Sequence, residues 1–397
     1  MKFRIFLFPI IIAVLFYYSG TKLIQFAPHR RILGWTLSGV LFVLMLAWQF
    51  AYRAPQLSID STPFKFMAWA GSLSMGIWAS FILYSLPIDL LHFGYWGMQK
   101  LSGPRELDPI RREFMTAWLP AGLLGLAGGS SAFGLWEVNS GPKIREIVIP
   151  IDNLPSDLEG LKIAQISDLH VGPTIRRAFV EQVVQRVLAT QPDLIAVTGD
   201  LIDGTPQRLA NHIEPLSRLS APLGTFYVTG NHEYYWGAED WVQTTTQLGF
   251  TPLLNENRIL KVRESKILLA GVTDTGAHDF IAGHRSSPQL AAQTTHSCDL
   301  KILLAHRPES CLEGETVGFD LQLSGHTHAG QFFPWSLLVR LAHKYYRGLN
   351  RHGRMWVYVN AGTGYWGPAH RFLVPSEITL IRLTSNKQGN FNGTKSI

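Results

Sequence analysis

Hydrophobic positions are arranged in two different ways along this chain. Up to about residue 140 they run almost unbroken, and beyond it they come in short bursts separated by polar turns. Residues 3–20, 32–50, 64–86 and 114–135 are apolar runs near the ~20 residues that cross hydrocarbon as a helix. None has the polar face of a helix buried in a water-soluble protein. The expectation is a four-helix transmembrane region over residues 1–140. A cleaved leader is the competing reading of the first run, but no small-x-small site follows it and more apolar runs do. Ala68, Ser72, Gly76 and Ser80 place small side chains on one stripe of the third helix, and Gly125 and Gly129 do so in the fourth. Both patterns predict close helix approach. Trp35, Trp48, Tyr52, Trp118 and Trp136 fall near the run ends, as interfacial aromatics do. Residues 88–98, after Pro87, predict a separate interfacial segment. The interiors of the runs carry no Lys, Arg, Asp or Glu that would suggest an ion pathway, which argues against a transporter.

The second half alternates strands with helical periodicity. Residues 141–160 read as a linker with a leading strand at 145–151. Apolar runs at 194–197, 225–228, 267–270, 301–304, 321–323, 355–359 and 378–381 read as further strands. Ile175, Phe179, Val183 and Val187 recur at helical spacing between them. Such alternation predicts βαβ units, and so many strands predict two packed sheets within a domain over 161–384. The polar tail 385–397 has little to bury and is expected to be disordered.

Composition adds two constraints. The net charge of +6 fits anionic lipid or phosphorylated substrates. Cys298 and Cys311 have neither metal-ligand nor C-x-x-C spacing, so they read as isolated thiols unless export pairs them.

The chemistry gathers at strand ends. The strand beginning at Lys162 stops on Asp168-x-His170, and i and i+2 side chains of an extended chain share a face. The runs that follow end in Gly199-Asp200, in Gly230-Asn231-His232-Glu233, in His306 and in Gly325-His326-x-His328. Ligands collect beyond the carboxyl ends of such strands, and glycine lets the backbone come close. Each residue alone has an ordinary explanation: Gly-Asp makes a turn, and Asn-His caps a helix. Together Asp168, His170, Asp200, Asn231, His306, His326 and His328 are too many ligands for one tetrahedral ion. They suit two ions sharing a carboxylate, and imidazole with carboxylate and amide oxygen suits Mn, Fe, Zn or Ni.

These motifs resemble the calcineurin-like metallophosphoesterase superfamily over roughly residues 162–383. Asn360 to Gly367 and Pro375 to Leu380 resemble its membrane-anchored bacterial branch, related to transmembrane proteins with a metallophosphoesterase domain. The resemblance implies an α/β domain folded as a four-layer αββα sandwich with a dinuclear metal centre. One ion would take Asp168, His170 and His328; the other would take Asn231, His306 and His326; Asp200 would bridge them. A metal-bound hydroxide would then attack phosphorus, leaving His232 to protonate the leaving oxygen or stabilise the equatorial oxygens, and Asp203 to orient it. For Asp203 an ordinary turn before Gly204 is an equal reading.

The function expected is a membrane-bound phosphoesterase acting on phosphodiester or pyrophosphate bonds of lipid- or glycolipid-linked phosphates, a UDP-2,3-diacylglucosamine-type pyrophosphate being one candidate. An exported phosphodiesterase of soluble nucleotides or envelope polymers, and a non-catalytic membrane sensor, are the alternatives. The expected partners are the bilayer and a phosphorylated lipid or nucleotide-type substrate. Nucleic acid is not expected, because the basic clusters lack interleaved aromatics. The segment 332–354, apolar and then basic, predicts an amphipathic element touching the bilayer. Basic residues of the first and third loops slightly outweigh those of the opposite side, which favours an extracytoplasmic catalytic domain in a multi-pass inner or plasma membrane protein.

Overall fold

A computed structural model describes residues 13–24, 31–53, 59–102 and 118–386, together with 108, 110 and 114. The chain forms two compact units. One comprises Met1–Asn139 with Phe332–Trp335 and Gly367–Leu373, and the other holds the rest.

The first unit is helical. Its described helices are α1 (13–24), α2 (Arg31–Arg53), α3 (Thr62–Ser102) and α4 (Leu119–Asn139). Among the described residues α3 alone is long and apolar enough to cross a membrane, over Thr62–Leu101. Residues 3–12 of the first expected span lie outside the described residues. The interfacial segment expected after Pro87 is not separate, because α3 runs through the proline. Beyond it Asp89 is tied to α1 by an ion pair with Lys22 and by the Tyr18 hydroxyl at 2.5 Å. Those contacts hold the helix past a residue that removes one hydrogen bond. The expected four-helix boundaries therefore exclude charges that the longer helices include, and Glu137 is likewise buried within α4.

Small residues pack differently from the simple helix–helix expectation. Ala68, Ser72 and Ser80 are fully buried, but the lower part of their stripe receives the chain segment 367–373. The Ala369 amide donates to Ser72 Oγ at 2.7 Å, and Ser72 Oγ donates to the Gly367 carbonyl at 3.0 Å. Ser80 Oγ lies 3.2 Å from His370 Nε2. A Cβ added at Gly125 or Gly129 would meet nothing within 4 Å, so that pair marks no close approach. In α4 it is Gly134 that makes room, for His370 and the Arg371 backbone. Trp48, expected at an interface, is buried against Gly71.

The second unit is an α/β domain of two mixed six-stranded sheets. The first has the order β1 (Lys143–Ile151), β12 (Glu377–Ser385), β2 (Lys162–Ile166), β3 (Leu194–Val197), β4 (Thr225–Tyr227), β5 (Thr251–Pro252). The second has the order β10 (Gly348–His352), β11 (Met355–Val359), β9 (Leu321–Ser324), β8 (Leu300–Leu304), β7 (Ser265–Gly271), β6 (Glu256–Val262). Within each sheet the central neighbours are parallel: β2, β3, β4 and β5 in one, β11, β9, β8 and β7 in the other. Ile163, Leu194 and Phe226 of one sheet share a buried cluster with Leu269, Ile302, Leu321 and Tyr358 of the other, which makes the sheets face each other. Helix α5 (Arg177–Ala189) buries Val180, Val183, Val184 and Val187 at helical spacing. A second cluster joins Leu268, Leu303 and Val357 to Cys311 at the start of the helix Cys311–Val317.

The expected strands appear within a few residues of their predicted limits. Ser385 closes β12 instead of opening a tail, and residues 387–397 lie outside the described set. Strands β6 and β10 carry no apolar run, because each is an edge strand with a single neighbour. The segment 332–354, read as one amphipathic element, is a helix, Trp335–Ala342, followed by β10. Cys298 and Cys311 are both free thiols.

Candidate metal centre

Five loops leave the carboxyl ends of parallel strands and converge. From β2 come Asp168 and His170; from β3, Asp200 and Asp203; from β4, Asn231 and His232; from β8, His306; from β9, His326 and His328. The pleat does not bring Asp168 and His170 together, because β2 ends at Ile166 and both residues have φ of 52°. Asp200, His326 and His328 are also left-handed, at 52°, 71° and 50°. Such conformations are unfavourable for side chains other than glycine and collect at functional sites.

Hydrogen bonds hold these turns. The His326 amide donates to both Asp168 carboxylate oxygens at 3.0 Å, and the His232 amide donates to Asp200 Oδ1 at 2.8 Å. A Cβ at Gly199 would lie 2.6 Å from the Gly230 nitrogen and 2.8 Å from His306 Nδ1. A Cβ at Gly325 would overlap Ser167 Oγ and Asp168 Oδ2.

The ligand atoms form overlapping groups. Asp168, His170 and His328 make one, Asp200, His306 and His326 another, and His170, Asp200 and His232 a third. Asp200 Oδ2 is central, 3.2 Å from His306 Nε2 and 3.9 Å from the Nε2 atoms of His170 and His232. His170 Nε2 faces His328 Nε2 at 3.0 Å, and His306 Nε2 faces His326 Nδ1 at 3.2 Å. His306 Nδ1–H donates to the Thr198 carbonyl at 2.8 Å, which leaves its Nε2 directed into the cluster.

This donor set fits divalent cations. Two imidazole nitrogens on one ion at ~2.1 Å stand about 3.4 Å apart in tetrahedral geometry, close to the spacing of the facing pairs. The Asn231 side-chain oxygen is buried without a hydrogen-bond partner. A buried acceptor left bare is unfavourable by about 1–3 kcal/mol, and a cation would satisfy it.

The electrostatics describe a cluster organised around charge. Burial opposes a charged His306, but Asp200 and Asp168 outweigh it and push the ring up to about 10. Burial likewise opposes a charged His232, and Asp200 with Asp203 pushes it up to about 9. Burial, then the His306 charge, drives His326 well below its usual value. Asp168 is raised by burial. For Asp200 burial is the largest effect, yet His306 and His232 overcome it and hold the carboxyl low. A proton on His306 would compete with a cation for the same nitrogen.

Asp203 is more than a turn residue. It lies 2.5 Å from His232 Nδ1 and 3.2 Å from His170 Nδ1. Sequence reasoning gave no role to Glu233, which accepts from the amides of Gly230, Leu201 and Asp200 at 2.6, 2.7 and 3.0 Å. It fastens the β3 and β4 loops together; burial, then Asp200, raises its carboxyl to about 7. The loop 360–366 is a second addition. The Thr363 amide donates to the Ser167 carbonyl at 2.8 Å and the Gly364 amide to that of Asp168 at 3.0 Å. Aromatic rings border the site: Tyr235 and Trp366, each about half exposed, lie 5.1 and 5.6 Å from the His232 ring.

Fold and donor set define a metal-dependent phosphoester hydrolase. The family profile described as calcineurin-like phosphoesterase matches residues 161–330. An uncharacterized metallophosphoesterase of Helicobacter pylori strain J99 is 36% identical over 315 residues, covering 78% of this chain and 80% of that protein. The transmembrane protein with metallophosphoesterase domain of Danio rerio is 35% identical over 261 residues, 64% of this chain and 60% of its own. A 5'-nucleotidase precursor from Thermus thermophilus superposes with a TM-score of 0.37 at 16% identity, over 51% of this chain and 49% of that one. The chain belongs to the calcineurin-like metallophosphoesterase family.

Proposed function

We propose that this protein is a membrane-bound phosphoesterase that uses two divalent ions to hydrolyse phosphodiester or pyrophosphate bonds in lipid- or glycolipid-linked phosphates. A UDP-2,3-diacylglucosamine-type pyrophosphate is one such substrate. The observation that carries the reading is Asp200 Oδ2, set between the His306 side and the His170 side of one cluster. Asp168, His170 and His328 would hold one ion, Asn231, His306 and His326 the other, with Asp200 shared. When bound, two such ions supply Lewis acidity at phosphorus and hydroxide near neutral pH.

The chain supplies the rest. Asp203 fixes His232 through Nδ1, leaving Nε2 directed at the cluster. With Nδ1 held by Asp203, a proton carried on Nε2 would be placed to pass to the leaving oxygen. Neither Ser nor Cys is required as nucleophile. Membrane attachment is supported by the apolar length of α3 and confines the enzyme near lipid-borne substrate.

Asp200→Ala tests the centre. Bound metal and hydrolysis of an aryl phosphodiester are both expected to vanish, with the wild type carrying both. A wild type that binds metal and turns over no phosphoester would instead be a sensor, and retained turnover in the variant would remove the shared ligand.

A further inference from the structure

The segment between the His328 loop and β10 has an unexplained surface. Its helix, Trp335–Ala342, has no buried residue. Leu337, Leu338 and Leu341 are 51, 45 and 84% exposed. Leu341 lies four residues after Leu337 and three after Leu338, so it joins them in one apolar face of the helix. Isolated exposed leucines are ordinary, but three on one short face mark an interaction surface. The segment's own charge has one sign, although Glu309 from outside it reaches His343. Arg340 and Lys344 are exposed, Arg347 follows, and residues 336–354 contain no Asp or Glu.

The segment is fastened beside the metal centre. Thr327, between the ligands His326 and His328, donates its hydroxyl to the Tyr346 carbonyl at 2.6 Å. His343, just past the helix, places its ring 6.1 Å from that of His326 and is held by Glu309 at 3.0 Å.

We propose that this helix docks on the surface of a bilayer containing anionic lipid, and so sets the His326 side of the cluster against phosphate esters in that surface. Leu337, Leu338 and Leu341 enter the boundary of the acyl chains, while Arg340, Lys344 and Arg347 meet lipid phosphates. An apolar face with a cationic border is the pattern of interfacial helices, and the attraction of such a border is to negative headgroups. Docking stands on this helix alone. The delivery of substrate rests on the function proposed above, and names its substrate class as lipid-borne.

The test uses the full chain reconstituted in vesicles, with Leu341→Cys on a Cys298→Ser background carrying an environment-sensitive fluorophore. Lipids brominated near the headgroup end of the acyl chain are expected to quench it, more strongly when phosphatidylglycerol is present. A label that stays in water with every lipid overturns docking and leaves the face to a protein partner. Quenching indifferent to phosphatidylglycerol overturns the role of the basic border. In a second arm Leu338→Glu with Leu341→Glu should lower hydrolysis of a vesicle-borne phosphodiester about tenfold or more, by losing local concentration, and leave a soluble aryl phosphodiester unaffected. Equal loss on both overturns delivery. A wild type inactive on both substrates defeats the proposed function, while the quenching result still decides docking.

Discussion

His232 touches Asp203 at 2.5 Å through one ring nitrogen and directs the other toward Asp200, 3.9 Å away. It belongs to a ligand-like group, yet the two expected ion sites are complete without it. His232→Ala is therefore expected to retain bound metal and to lose turnover by roughly 10²–10⁴-fold, the usual contribution of a positioned acid. Metal analysis alongside aryl phosphodiester kinetics reads both, and unchanged turnover would end its catalytic assignment. Asp203→Asn should show a smaller loss with the same metal content, because an amide still reaches Nδ1 but no longer stabilises a charged ring. At this scale the sequence was informative wherever chemistry demands a residue type, since Asp, Asn and His at strand ends have few other reasons to recur. Glu233 closes the Gly230-Asn231-His232-Glu233 motif, but its work is to accept three backbone amides. Nothing in a sequence says where an amide points. The left-handed turns at Asp168, His170 and Asp200 were hidden for the same reason.

Helices and strands were legible in proportion to how much each buries. Central strands such as β3 and β11 are apolar on both faces and were placed to the residue, whereas β6 and β10 lie at sheet edges and alternate too weakly to be seen. Helix α3 was cut at Pro87 because local propensity favours a break there, and the tie between Asp89 and α1 that overrides it spans 67 residues of sequence. The motif glycines belong to this scale, since each lets one loop pass another. Gly325→Ala would drive a methyl into Ser167 Oγ and Asp168 Oδ2 of the ligand-bearing loop after β2. Displacement of the loop is expected to lower stability by about 1–3 kcal/mol, as overpacking does, and to reduce bound metal. Gly283→Ala, where an added Cβ meets nothing within 4 Å, is the matched control and should change neither. A thermal melt with metal analysis distinguishes the two variants, and equal behaviour would mean that the glycine is there for reasons other than close approach.

For the whole molecule, the membrane attachment proposed above would make the side on which the metal centre works decide which phosphates it meets. The UDP-diacylglucosamine-type substrate proposed above would require a cytoplasmic centre, whereas the expectation from loop charge is an extracytoplasmic domain. The chain carries its own reporter. Cys298 is a partly exposed free thiol in the second unit, and Cys311 is a buried one. Burial raises both thiols, so labelling should be run on the alkaline side of neutral, where more thiolate is present. If the domain is extracytoplasmic, a membrane-impermeant maleimide added to intact cells labels the protein, and Cys298→Ser abolishes that signal while Cys311→Ser does not. Labelling that appears only after lysis reverses the orientation drawn from loop charge. It would then place the centre where nucleotide-linked lipid is available, and the exposed leucine face would be directed at the inner leaflet, whose anionic lipids match its arginines and lysine.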